Sequence, residues 1–581
     1  MSSKIFKRTA IAASLLAVSQ AHAALYRVVQ VSPEVTSATS YSYGDAIQPG
    51  DNGYALGCFD SSATCGDGSS YEMAYDTNLY TPGGVGYREE VPFGVDNQFQ
   101  YIGSESDFES YCNTYLGYSY CDGWANYQYN PWENEQNSTV NVSAYVAVDN
   151  INTPTPTSYT SSTGNTVINS LYGAVPATPT AVGNQSTFSD GLNYRNKAFS
   201  ENSTTTDNAI SSYDQSRAFF SDGTYTVGSV STVDTANNSN NHLLSYYSQP
   251  AIWDPSASGT EIKVFDFQDG GSSYKDSMFG QGSIRGFVTD GSALYAVGYD
   301  TYTSSQYMQA TIFSTTDYVT NGIDGATWTV TPVTNATVLD DGSRVYWRTV
   351  VTAINKNLVA IGNAKRSVAQ NQAYPNRMFV IPDVSSSPTA TYLSTGIFAN
   401  SVGGSANAIN SSNEIVGQVD AESNQEIDGK ARRLRGFIDP YSGTGTDTDR
   451  RKIFNNQAWL LDDLTNGDNG NGNNYSTANN AYRIIDATGI NDDGVISATA
   501  IKCLESGGYD DDGEFATCGG GSGVEVTVAV KLVPIPGASY ANNNIDPRAT
   551  TYPKTERKGG SVGWLGLSLL TLLGLQRRRR T

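Results

Sequence analysis

Ala353-Ile-Asn355-Lys-Asn-Leu-Val-Ala-Ile361-Gly362 recurs in altered form further along the chain. It returns as Ala408-Ile-Asn410-Ser-Ser-Asn-Glu-Ile415-Val416-Gly417, and again as Gly489-Ile-Asn491-Asp-Asp-Gly494-Val495-Ile496-Ser-Ala498. In all three an asparagine stands seven residues ahead of a small residue. The physical reading is a turn that feeds a strand. The asparagine oxygen can accept backbone N–H groups within the turn, and an Asn or Gly a few residues on can take the left-handed conformation. The apolar run that follows then enters a sheet.

Working outward, Val182-Gly183, Val227-Gly228 and Val297-Gly298 end similar runs. The small residues then mark six points: 183, 228, 298, 362, 417 and 498. A second element, Arg377-Met-Phe379-Val and Arg435-Gly-Phe437-Ile, follows the first two units. Arg217-Ala-Phe219 and Arg285-Gly-Phe287 read as earlier copies, with Gln457-Ala-Trp459 as a looser one. Short β-branched and aromatic runs between Gly, Asn, Asp and Ser clusters fill most of the chain, which makes it all-β. A small sheet cannot bury its face alone, so such units stack or close into a ring. The expectation is a repeat β-propeller of about six blades over 166–535, with a β-sandwich array as the alternative.

The two ends read as addresses. Lys4, Lys7 and Arg8 precede an apolar stretch near 10–18 and then Ala21-His22-Ala23, the pattern of a secretory signal peptide over 1–23 with cleavage after Ala23. At the other end Gly559-Gly560 lead into an apolar run from Val562 to Leu575, closed by Arg577–Arg580. That run is short for a bilayer core of about 30 Å. Between the ends lie a Tyr-rich acidic segment (24–150), expected as a β-rich disulfide-bonded module, then a Thr/Pro linker (151–165), the repeats, and a polar linker (536–558).

The formal charge of −22 argues against a nucleic-acid partner, since phosphate binding needs clustered Lys and Arg. The two ends together hold seven of the basic residues and no acidic one, so the remainder is more acidic still. Two histidines, one of them in the signal, leave little room for His-based catalysis or zinc. There is no G-x-S-x-G, H-E-x-x-H or P-loop. Six cysteines in an exported chain favour disulfides, and proximity suggests Cys58–Cys65, Cys112–Cys121 and Cys503–Cys518 among fifteen connectivities. Carboxylates are the remaining reagents. Asp510, Asp511, Asp512 and Glu514 are the candidate ligands for calcium, with 491–494 and 466–471 as further acidic loops. The expected role is non-catalytic binding or display at the envelope, with a surface glycan or other envelope component as partner. A propeller glycoside hydrolase or lyase using two carboxylates is the alternative.

The repeat units resemble the HAF family of extracellular repeats, with Arg217, Arg285 and Arg435 where the family's histidine stands. The tail resembles the GlyGly-CTERM sorting signal. That resemblance implies cutting near Gly559 and Gly560 by a rhombosortase-type protease, after signal peptidase has acted at the other end. It also implies a transient membrane helix, then surface attachment or secretion. The whole layout resembles an uncharacterised family of exported bacterial proteins, the domain-of-unknown-function 3466 family, which implies no activity.

Overall fold

The computed structural model describes residues 24–548 apart from loop segments, the longest being 79–103, 187–196, 237–245, 366–375, 422–432 and 467–477. Seven antiparallel sheets form the architecture. Blade 1 is Tyr41–Ile47, Met73–Asn78, Val142–Ala147 and Thr157–Ser158, and blade 2 is Thr166–Tyr172, Thr180–Gln185 and Lys197–Phe199. Blade 3 is Gln215–Ser221, Thr226–Val233, Tyr246–Trp253 and Ile262–Val264. Blade 4 is Ser283–Asp290, Ala293–Tyr302, Tyr307–Thr315 and Thr329–Pro332. Blade 5 is Thr349–Ile354, Ala360–Lys365, Asn376–Ile381 and Thr391–Tyr392, and blade 6 is Gly404–Ile409, Glu414–Asp420, Leu434–Pro440 and Trp459–Leu460. Blade 7 takes Tyr482–Ile490, Ile496–Cys503 and Glu525–Pro534 from the end of the chain, and its outer strand Tyr26–Gln30 from the beginning.

The first strand of each blade touches the first strand of the next, all the way round and back from blade 7 to blade 1. The sheets therefore close a ring around one axis, which excludes an open sandwich array. The blade count is seven rather than about six. Blade 1 was missed because its second strand carries Tyr75 where five other blades carry the marker glycine. It lies in the acidic segment read as a separate β-rich module. That segment also carries helices Glu105–Tyr111 and Cys121–Gln136, joined by Cys112–Cys121. Thr157–Ser158, within the stretch read as a linker, pair with Tyr145 and Val146.

The three expected disulfides are present, each with its Cα atoms 5.5 Å apart. Cys503 and Cys518 staple the loop between two strands of blade 7. The Arg-x-Phe elements need a correction. Arg377 and Arg435 lie on third strands, whereas Arg217 and Arg285 lie on first strands. They are not copies of one position. What they share is an arginine near the start of a largely buried strand, which first and third strands both offer.

Closure uses more than one strand. Leu25, Tyr26, Phe59, Phe454, Trp459 and Ile545 belong to one core with blades 6 and 7. The 50–65 loop of blade 1 reaches across to it, with Phe59 edge-on to Tyr26 (5.4 Å) and Phe454 (5.6 Å). After Pro534 the chain runs back over the same junction. Ile535 N donates to Leu25 O, Gly537 N donates to Phe59 O, and Tyr540 packs 5.9 Å from Trp459. Within the described residues the strap reaches buried Arg548, whose N–H donates to Asp463 Oδ1 (2.8 Å).

Candidate functional site

Each of the seven axial strands is interrupted by a bulge at the same level. The residues left without a cross-strand partner are Asp45, Asn169, Phe219, Arg285, Thr352 and Asn407, and in blade 7 both Ile485 and Thr488. A bulge tilts the strand and drives its backbone toward the neighbour. That explains the marker glycines: a Cβ on Gly417 would lie 2.0 Å from Ser405 O, and one on Gly228 would lie 1.8 Å from Arg217 O.

The bulged side chains stitch blade to blade. Asn169 Nδ2 donates to Ala218 O (2.8 Å), Thr352 Oγ1 to Ala406 O (2.8 Å), and Asn407 Nδ2 to Asp486 Oδ1 (2.8 Å). Between blades 3 and 4 the stitch is a cation on a ring, with the Arg285 guanidinium 3.7 Å from the Phe219 centroid.

At one end of the ring the turn asparagines do what their spacing implied. Asn355 Oδ1 accepts from Asn357 and Val359 N–H, Asn410 Oδ1 from Ser412 and Glu414 N–H, and Asn491 Oδ1 from Val495 N–H. Leu358, Asn413 and Gly494, each three residues on, have positive φ. The amide nitrogens then run a relay between blades. Asn355 donates to Asn410 O, Asn410 to Asn491 O, Asn491 to Gln48 O, and Gln48 to Gly173 O. Gln48 follows Ile47 just as the asparagines follow isoleucines, a counterpart that sequence reading did not catch.

A charge knot sits behind this relay. Arg450, on the helix Thr448–Ile453, makes a two-pronged pair with Glu414 (2.7 and 2.9 Å), and both side chains are buried. Its guanidinium also lies 5.4 Å from the Phe59 ring. Asp493 accepts from Asn52 N–H (3.0 Å) and Tyr71 O–H (2.6 Å), while Asp492 accepts from Ser411 N–H (2.7 Å). Burial, then the Asp493 carboxylate, pushes the Tyr71 phenol well up. The acidic turn 491–494, considered for a cation, is thus a junction between blades 5, 6, 7 and 1.

At the other end, Arg435 Nε lies 3.0 Å from Asp462 Oδ2, and Arg548 Nε donates to Asp462 O (2.9 Å). Burial, together with nearby Arg548, lowers Arg483 to about 10. The buried Glu414–Arg450 and Arg435–Asp462 pairs escaped sequence reading. The only trace was charged residues inside or beside apolar runs.

Of the calcium candidates, Asp510 accepts from Thr517 Oγ1 and from Gly520 N–H (3.0 Å), while Asp511, Asp512 and Glu514 lie outside the described residues. Among the described residues no group of three or more His, Cys, Asp and Glu is gathered as metal ligands are. Ala21, Ala23, Gly559, Gly560 and the apolar tail also lie outside. No described helix is long and apolar enough to cross a membrane.

A model of the family described as "Protein of unknown function (DUF3466)" matches residues 200–579, more than half of the chain. The chain belongs to the DUF3466 family. No curated protein matches it. The DUF3466 match takes in blades 3 to 6 and the three C-terminal strands of blade 7. The closing strand 26–30, blade 1 and blade 2 lie ahead of it.

Proposed function

We propose that the protein is exported and serves as a non-catalytic binding or display module at the cell envelope, with a surface glycan or other envelope component as its partner. One observation carries the reading: four buried carboxylates are spent on holding the ring. Glu414 pairs with Arg450, Asp493 bonds Tyr71 and Asn52, Asp207 accepts from Ser200 and Trp253, and Asp462 pairs with Arg435. A ring locked at both ends and at the bulges is a rigid support for loops, and rigid support lowers the entropic cost of binding.

Export is supported by three disulfides, which persist in oxidising compartments. Ala24 and Leu25 already belong to the core, so a cut after Ala23 delivers the closing strand intact. At the other end the strap anchors at Arg548, upstream of Gly559-Gly560, so cleavage there leaves the ring whole. The acidic 510–514 loop is proposed to take calcium. At a free concentration 100 times Kd, one site adds about 2.7 kcal/mol.

The test is retention of the purified exported protein on isolated envelope fractions, with release of reducing sugar ends assayed in parallel. Saturable retention without sugar release is the expected result. Sugar release abolished by a carboxylate substitution would replace this reading with a hydrolase. Intact mass of the exported protein is expected to lack residues 1–23 and the segment from Trp564 onward. An unchanged melting temperature between millimolar calcium and chelator would remove the calcium assignment.

A further inference from the structure

We propose that the loops between blades 3 and 4 form a binding subsite for an uncharged saccharide chain, with Tyr247, Phe267 and Tyr274 as its platform. The proposal rests on the binding role above and gives it a location. Tyr247 is the second residue of the third strand of blade 3, Phe267 follows the blade's outer strand, and Tyr274 begins a short hairpin with Met278–Phe279. The Tyr247 and Phe267 rings meet edge-on at 6.4 Å, and Tyr274 packs 4.9 Å from buried Phe279. Gly280 joins the two pairs, since a Cβ there would lie 2.7 Å from the Phe267 ring. Tyr247, Phe267 and Tyr274 are half-buried, so three rings from neighbouring loops remain partly open to solvent at one end of the propeller.

These loops are held in place. Gln268 N–H donates to Thr301 O (2.9 Å), Gln281 N–H to Thr301 Oγ1 (2.8 Å), and Ser272 N–H to Gln306 Oε1 (3.0 Å). Ser248 N–H donates to Gly280 O (3.1 Å), and Gly282 N–H returns the bond to Ser248 O (2.8 Å). A preformed surface of this kind binds without a large ordering cost.

The chemistry around the rings selects the ligand. Half-buried Gln249 and Gln268 and exposed Asp266 supply amide and carboxylate groups beside the aromatic faces. A sugar ring offers C–H groups to the faces and hydroxyls to such a rim. The nearby charges, Asp266, Asp269 and Lys275, sum to a negative rim that disfavours phosphate or sulfate.

A second observation points to the same spot. Asp300 lies fully buried beneath the loop, with Oδ1 accepting from Thr301 N–H (2.8 Å) and Oδ2 without a hydrogen-bond partner. Burial pushes its carboxyl well above the usual range, with Asp266 adding to the effect, and the Gln268 side chain bonds to it. Buried polar capacity is normally used up; this carboxyl lies beneath the rim residue Gln268, whose side chain it ties to the base of the loop.

The test titrates the full-length protein with cellohexaose, maltohexaose, laminarihexaose and chitohexaose by calorimetry. At least one is expected to bind, and Tyr247→Ala and Tyr274→Ala are each expected to weaken that binding about tenfold. Asp266→Asn, at an exposed position that the fold tolerates, is expected to weaken it several-fold. Tyr54→Ala, an exposed ring at the opposite end of the propeller, is expected to leave it unchanged. Binding that survives the two tyrosine substitutions overturns the proposal. So does failure of all four oligosaccharides to bind, and if the protein is still retained on envelope fractions the general binding role stands while this site falls.

Discussion

Glu414 and Arg450 show what a buried charge does in this ring. Glu414 opens the second strand of blade 6, Arg450 sits on a helix of the same blade, and the pair lies against Phe59 from blade 1. Glu414→Gln is expected to cost about 3–5 kcal/mol, because Arg450 is left buried without its counter-charge. Replacing both together by Leu and Met is expected to cost less than either single change. Urea denaturation of the three variants checks this, and additivity of the single costs would contradict it.

A second residue ties stability to pH. Burial pushes Asp439 up to about 6 from an ordinary 3.8, with Arg451 partly offsetting the rise. A folded-state pKa above the unfolded value means that stability is intact below about pH 4, declines as pH rises through about 6, and stays lower above that. Asp439→Asn removes the ionisation. With the half-buried side chain partly screened by water, the expected gain at pH 7–8 is about 1–2 kcal/mol, vanishing near pH 3.5. Paired thermal melts at the two pH values read it.

The bulged strand with its facing glycine is the unit that repeats. Its small residue is required by a carbonyl pushed into the space of a side chain, rather than by a turn. Gly417→Val is expected to cost about 1–3 kcal/mol or more through overpacking against Ser405 O. The same glycine explains why the family-like Val-Gly signature runs through blades of very different loop length. Blade 7 carries Ala498 in its place, opposite Ala487, on a first strand that bulges twice, after Ile484 and after Ala487. In blade 1 the close approach falls on Gly44 instead, whose Cβ would lie 2.4 Å from Ala498 O of blade 7. The absence of the signature there is therefore part of ring closure.

For the whole molecule, both ends converge on the junction of blades 6, 7 and 1. Deleting 24–30 bares the edge of Glu525–Pro534 and opens the core around Phe59. Loss of cooperative melting and a tendency to aggregate are expected, as for any long unpaired edge. Truncation after Pro534 removes the strap with Ile545 and Arg548 and is expected to cost several kcal/mol, since one buried Ile alone is worth about 1.5–3. Truncation after Arg548 is expected to keep the melting temperature of the full chain. Calorimetry of the three truncated chains tests whether the strap belongs to the fold and the remaining tail does not.

Much of this was legible in order. Alternating runs, turn asparagines and local cysteine pairs depend on neighbours within a few residues, so all-β structure, the Asn turns and the three disulfides could be read along the chain. That a small sheet cannot stand alone left two outcomes, a stack or a ring, and the return of blade 7 onto blade 1 decides for the ring. What the chain order could not reveal were relations between elements that only folding brings together, from 36 residues apart for Glu414 and Arg450 to 443 for Asn491 and Gln48. The strand borrowed from the N-terminus and the asparagine bond from blade 7 to blade 1 exist only once the ring closes, whereas the Glu414–Arg450 pair forms within blade 6. The aromatic rim over Asp300 is of the same kind: separate loops meet there, and a carboxyl unremarkable in sequence becomes unusual because folding takes away its water.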